Sequence, residues 1–182
     1  MGYATAGVQG STSGSVSLVG GEWKAFTDEG IRLGAVSGPR VQGLSISGVP
    51  AGHRAVILYS ESLDLGQISG NSGPGGFLLA GVATVDSVMH AQPAPWFVSS
   101  CHSLKVAEGA TVTIEAGAVI KGQASVPNWC FTSYPSIALD VRGLLKANGT
   151  AEDPVTFTSW KDDSVGGDSD GDGDDSSPVA GD

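Results

Sequence analysis

Cysteine is almost absent from this sequence. The two present, Cys101 and Cys130, are not spaced as CxxC, which argues against a zinc knuckle or a thioredoxin-type motif. They can pair as one disulfide, as an oxidising compartment favours, or stay as two buried thiols. Charge is scarce too, at 15% of residues, and cations most of all: nine Lys and Arg face nineteen Asp and Glu, for a net charge of −10. A basic nucleic-acid footprint is therefore missing, and so is attraction to anionic lipid. No apolar run approaches the ~18 residues of a membrane-spanning helix. The opening MGYATAGVQGSTSGSVS has neither the charged nor the apolar part of a signal peptide, so it suits a secreted protein without its leader and a cytoplasmic one equally.

Helical periodicity with caps is absent as well, and no catalytic pattern stands out. His53, His90 and His102 are scattered and form no HxxxH or HExxH. Ser99, Ser100 and His102 lie close in sequence, but a triad is defined by geometry.

Glycine is abundant, at 28 of 182 residues, and 40% of residues are hydrophobic. Together with frequent Ser, Thr and Val, this predicts an all-β chain with many turns. Residues 1–14 are rich in Gly, Ser, Thr and Ala and read as a flexible N-terminus. In 15–94, short apolar runs alternate with turn signals: SVSLV (15–19), VQGLSI (41–46), RAVILYS (54–60) and GFLLAGVATVDSVM (76–89). The last of these reads as two strands broken at Gly81. The segment is expected to be a small antiparallel, sandwich-like β module. QPAPWF (92–97), with two prolines, marks a boundary.

From 104 onward a repeat emerges. LKVAEGATVTIEAGAVIKG (104–122) aligns with IALDVRGLLKANGTAEDPVTFTS (137–159). Leu104 and Val106 match Leu139 and Val141. Val112 and Ile114 match Leu145 and Ala147, and Val119 matches Val155. Three short strands per copy, each turned at a glycine, trace one triangular coil. Alternation points Leu104, Val106, Val112 and Ile114 inward, and Lys105, Thr111, Thr113 and Glu115 outward. A single coil leaves its edges unpaired, so a second must stack on it. The fold class is thus all-β, an N-terminal antiparallel module followed by the first coils of a right-handed parallel β-helix over 95–160. A meander of the same strands is the alternative. Residues 123–136 interrupt the repeat, and their Trp129, Phe131 and Tyr134 suit a packed flap better than a sugar-stacking platform. A disulfide between Cys101 and Cys130 would staple this insertion to the coils.

The ordered motifs V-x-x-G-x-T-V-x-I-x-x-G, G-x-L-x-A-x-G-T-x-x-x-P-V-x-F-T-S, D-D-x-x-G-G-D-x-D-G-D-G and P-x-x-G-D, spread over 104–182, resemble a group of large secreted bacterial and archaeal proteins with right-handed parallel β-helix repeats. The resemblance implies the fold and an extracellular or cell-surface location. In such proteins further coils follow the Gly-Asp pair found here at 181–182.

Acid is concentrated at 161–182, which holds eight Asp and one Lys. D-S-D-G-D-G (168–173) matches the first half of a calcium loop. Asp168, Asp170 and Asp172 take positions 1, 3 and 5, and Gly173 takes position 6. Position 12 is Val179 and not a bidentate Glu, and no helix flanks the loop. Asp162, Asp163, Asp174 or Asp182 would have to complete the shell. A solvated acidic tail is the bland alternative. The expected cofactor is a structural Ca²⁺, since Mg²⁺ demands tighter geometry.

Asp140 and Arg142, with Lys105 on the neighbouring strand, read as surface charges and not as a catalytic set. Asn148-Gly149-Thr150 fits a glycosylation sequon, but is more simply a turn. The functional expectation is a non-catalytic structural or adhesive protein of the cell surface, able to self-assemble into a homo-oligomer or filament through open coil edges. A polysaccharide-binding or polysaccharide-cleaving module and a virion fibre component are the alternatives.

Overall fold

The computed structural model describes residues 8–11, 14–100, 103–123 and 138–180. Its early strands are β1 (Val8–Ser11), β2 (Ser17–Val19), β3 (Glu22–Lys24), β4 (Ile31–Gly34), β5 (Arg40–Gln42) and β6 (Ser45–Ser47). The central ones are β7 (Val56–Leu63), β8 (Ile68–Ser69), β9 (Phe77–Ala83), β10 (Ser87–Met89) and β11 (Trp96–Ser99). The last are β12 (Leu104–Val106), β13 (Thr111–Ile114), β14 (Val119–Gln123), β15 (Leu139–Val141), β16 (Leu144–Ala147) and β17 (Thr156–Ser159). A 3₁₀ turn, Leu65–Gln67, is capped by Asp64.

Every strand pairing among the described residues is parallel. One sheet runs β1-β4-β7-β9-β11-β14-β17, with β12 and β15 continuing from β9. The other faces are β10-β13-β16, β2-β5-β8 and β3-β6. Consecutive strands lie in different sheets, except β11–β12 and β14–β15, which share the long one, and each pairs with its counterpart one coil away. This is a parallel β-helix, and it begins far earlier than expected. The antiparallel module predicted for 15–94 is a misreading of chain direction. A hairpin needs a turn that reverses the chain, whereas here glycines only bend it round a corner. Gly20, Gly43 and Gly70 have φ of 68°, 64° and 66° and stack on one another at the same corner. Of the segment expected to be flexible, Val8–Ser11 form β1, paired with β4.

The core is a set of inward columns. Ile31, Val56, Phe77, Trp96 and Ile120 are in register through five coils and buried. Leu33, Leu58 and Leu79 form a second column at 0% exposure. Each such side chain contributes about 1.5–3 kcal/mol by leaving water. The Phe77 and Trp96 rings meet at 5.6 Å, and Trp96 Nε1 donates to His90 O at 2.7 Å. Buried Asn71 ties one corner: its Oδ1 accepts from Leu44 N, and its Nδ2 donates to Val41 O and Gln92 Oε1.

The repeat is confirmed on two of its three strands. Leu104–Val106 pair with Leu139–Val141, and Thr111–Ile114 with Leu144–Ala147. On the third the register is one residue further on: Val119 pairs with Thr156 and Ile120 with Phe157. Burial decides it, because Ile120 is the inward residue. Gly81 bends β9 without ending it; the first half of the strand pairs with β11 and the second with β12.

Candidate metal centre

The outward side of the long sheet carries its own column: Arg32, Ile57, Leu78, Phe97, Lys121 and Thr158, each in register with the next. After β17, Trp160 N donates to Gly122 O, and Asp162 N closes a turn onto Ser159 O. The acidic segment then runs back over this column as a strap. Gly166 lies against Pro95, Val119 and Lys121. Gly171 (φ 79°) packs backbone to backbone on Gly52 (φ 75°), so closely that a Cβ on Gly171 would overlap Gly52 N. Only glycine fits there.

Two cations lie beneath the strap. Lys121 is 0% exposed, and its Nζ donates to Asp162 O at 2.8 Å and Gly167 O at 2.5 Å. Arg54, 7% exposed, donates to Ser169 O at 2.5 Å. Its guanidinium stacks 3.8 Å above the Phe97 ring and 5.7 Å from that of Trp160, a favourable cation–π arrangement. Burial pulls the Arg54 pKa down to about 10, against the attraction of Asp170 and Glu29, so it stays charged at neutral pH. Burial also lowers Lys121, opposed chiefly by Asp163 and Asp162.

The strap brings together Asp163, Asp168, Asp170 and Asp172, with one carboxylate oxygen of each within 4.8 Å of the others. Asp168 is organised by its own loop: Oδ1 accepts from Gly171 N at 2.6 Å and Oδ2 from Gly173 N at 3.1 Å. Burial raises its pKa, but these amides together with Asp170 and Lys121 outweigh that, and the carboxyl sits below its ordinary value. Asp170 Oδ2 accepts from Ser176 Oγ at 2.8 Å, while its Oδ1 is buried without a partner. Both Asp163 oxygens are sealed from solvent and make no hydrogen bond of acceptable geometry. Burial, then the like charges of Asp168 and Asp170, push the Asp163 carboxyl up. Orphaned carboxylate oxygens facing one another fit a hard divalent cation, which takes oxygen ligands and offsets the repulsion.

The other predicted ligands lie elsewhere. The Asp162 carboxylate is occupied by Thr158 Oγ1 and by Ser164 N and Oγ, which lower its pKa, the Ser164 and Thr158 side-chain bonds most. Asp174 is exposed and outside the cluster, and Asp182 is not among the described residues. Sequence reasoning missed Arg54, Lys121 and Gly52. They lie coils away from the acidic motif, and nothing in the linear sequence joins them to it.

Asp28, Glu29 and His53 form a second acidic group, but its members satisfy one another. His53 Nδ1 lies 2.8 Å from Asp28 Oδ1, and Glu29 pairs with Arg32 at 2.8 Å. His90 pairs with Glu115 at 3.3 Å, so the described histidines sit apart. Arg142 pairs with Asp140 at 3.1 Å on the surface, with Lys105 beside Asp140 in register. Thr150 Oγ1 accepts from Asp153 N, a local turn bond. Cys101, Cys130, His102, Trp129, Phe131 and Tyr134 lie outside the described residues. Among the described residues no helix is long and apolar enough to cross a membrane.

Residues 99–171, less than half the chain, match the family model of a pectate-lyase like beta helix domain. No curated protein and no solved structure gives a significant match. The uniformly parallel pairing and that match together identify the chain as a parallel β-helix protein.

Proposed function

We propose that this β-helix is a non-catalytic scaffold of the cell surface or extracellular space, structural or adhesive in role, with a calcium ion bracing its acidic strap. The observation that carries the calcium reading is the sealed, unpartnered carboxylate of Asp163 beside Asp168, Asp170 and Asp172. The donors are all carboxylate oxygens, without thiolate or imidazole. That set suits Ca²⁺ and disfavours softer metals. Millimolar extracellular calcium would fill even a weak site. Bound there, the ion supplies charge neutralisation and no chemistry of its own.

Calorimetric titration of the metal-stripped chain tests this. Calcium should bind, magnesium more weakly, and calcium should raise the unfolding temperature while chelator reverses the rise. Absence of binding heat and of any thermal shift sinks the reading.

The match to a pectate-lyase like domain favours one second reading, a polysaccharide-binding or polysaccharide-cleaving module. Retention of the chain on immobilised acidic polysaccharide, or release of unsaturated or reducing ends from it, would replace the scaffold reading.

A further inference from the structure

Arg54 and Lys121 present an electrostatic puzzle. Both are buried cations beside a cluster of four carboxylates, yet neither forms an ion pair with a carboxylate among the described residues. They bond backbone carbonyls instead, at Asp162, Gly167 and Ser169. Each of these residues immediately precedes one of the clustered acids, Asp163, Asp168 and Asp170. Every peptide that aims one of these three carboxylates is therefore fixed to the coil stack, while neither cation takes up a carboxylate oxygen.

We propose that Arg54 and Lys121 are positioning residues for the cation site, gripping the strap by its backbone so that Asp163, Asp168 and Asp170 converge on the ion. The inference rests on the calcium reading above. A loop of Asp, Gly and Ser has no apolar anchor and would lose much conformational entropy on closing round an ion. Bonds from two distant coils supply the order in advance. Phe97 and Trp160 fix the Arg54 guanidinium, and the Gly52–Gly171 contact sets how near the strap lies. Calcium binding is thereby linked to the coil that begins at Arg54, although all four acids come from the far end of the sequence.

Two opposed effects make this testable. Removing a positive charge near the ion should by itself tighten calcium binding, whereas removing a positioning group should weaken it. Calorimetry on the full chain with calcium chloride should find Lys121→Met and Arg54→Met weaker than the parent by about tenfold or more, the usual effect of losing an outer-shell partner. Lys121→Arg should recover part of the loss. Tighter or unchanged binding in folded Met variants overturns the inference. Should those variants not fold, hydrogen exchange on the unmodified chain decides: calcium should slow exchange in peptides covering His53–Leu58 and Val119–Gln123 as well as in the strap. Slowing confined to the strap overturns the inference and leaves the calcium reading standing. Absence of calcium binding by the unmodified chain overturns both.

Discussion

Asp163 and Asp168 share one carboxylate cluster and are perturbed in opposite directions, so they respond oppositely to pH. The Asp163 carboxyl is raised by burial and by its acidic neighbours. Between the unfolded value, about 3.9, and that raised value, the folded chain holds more protons than the unfolded one, so stability rises as pH falls. Asp168 is raised by burial but lowered on balance by the Gly171 and Gly173 amides with Asp170 and Lys121. Its contribution is present above the unfolded value and is lost as pH falls through the folded one. Urea unfolding of the calcium-free chain across pH should therefore show stability climbing on acidification before it collapses. Asp163→Asn should abolish the climb, stabilise the calcium-free chain at neutral pH by about 1 kcal/mol, the scale of relieving one unsatisfied buried group, and remove the calcium response. A variant that is destabilised without calcium contradicts this account. At this scale the clustering of Asp168, Asp170 and Asp172 was legible, because residues of one loop lie near one another in sequence. Their two buried cations were not, because a Lys within AVIKG and an Arg before AVILY look like any outward residues.

β9 turns at a tightly packed glycine. Gly81 has φ of 106°, and a Cβ there would overlap the Ser60 carbonyl oxygen. It lets one strand turn from β11 to β12 while its pairing with β7 resumes at Leu63 and Ala83 after a β-bulge between Ser60 and Leu63. Gly81→Ala is expected to cost about 3 kcal/mol or more, since strain at positive φ is added to a steric clash. Denaturant midpoints would check this, and a loss under 1 kcal/mol would mean that the strand reroutes. The strands were readable from alternation, but their partners were not. Val8, Ile31, Val56, Phe77, Trp96 and Ile120 occupy successive coils at uneven spacing, which hides the repeat. Leu104–Ile114 and Leu139–Ala147 kept nearly constant spacing and were recognised. The one-residue error at Val119 arose because Val119 and Val155 look alike, while packing selects Ile120 and Phe157.

Across the whole molecule, the strap joins the coil of Arg54 to that of Trp160. Calcium removal should therefore loosen more than a loop: limited proteolysis in chelator should cut within 162–176 first and then release the outward face, both suppressed by calcium. Among the described residues, Phe157 is 53% and Val141 41% exposed, although their register partners Ile120 and Val106 are buried. Light scattering tests the self-assembly expected from the sequence: association should grow with concentration and be reduced by Phe157→Asp, and a monomer at all concentrations removes that expectation. The sequence alone determined the all-β character, the acidic loop and a stacked repeat after residue 104, because composition, motif spacing and alternation are local properties. Tertiary structure decided that the early strands run parallel, that the acidic segment folds back as a strap, and that Asp163 joins its cluster. Those outcomes depend on which coil each residue meets, and a corner glycine sets the direction of the next strand without naming its partner.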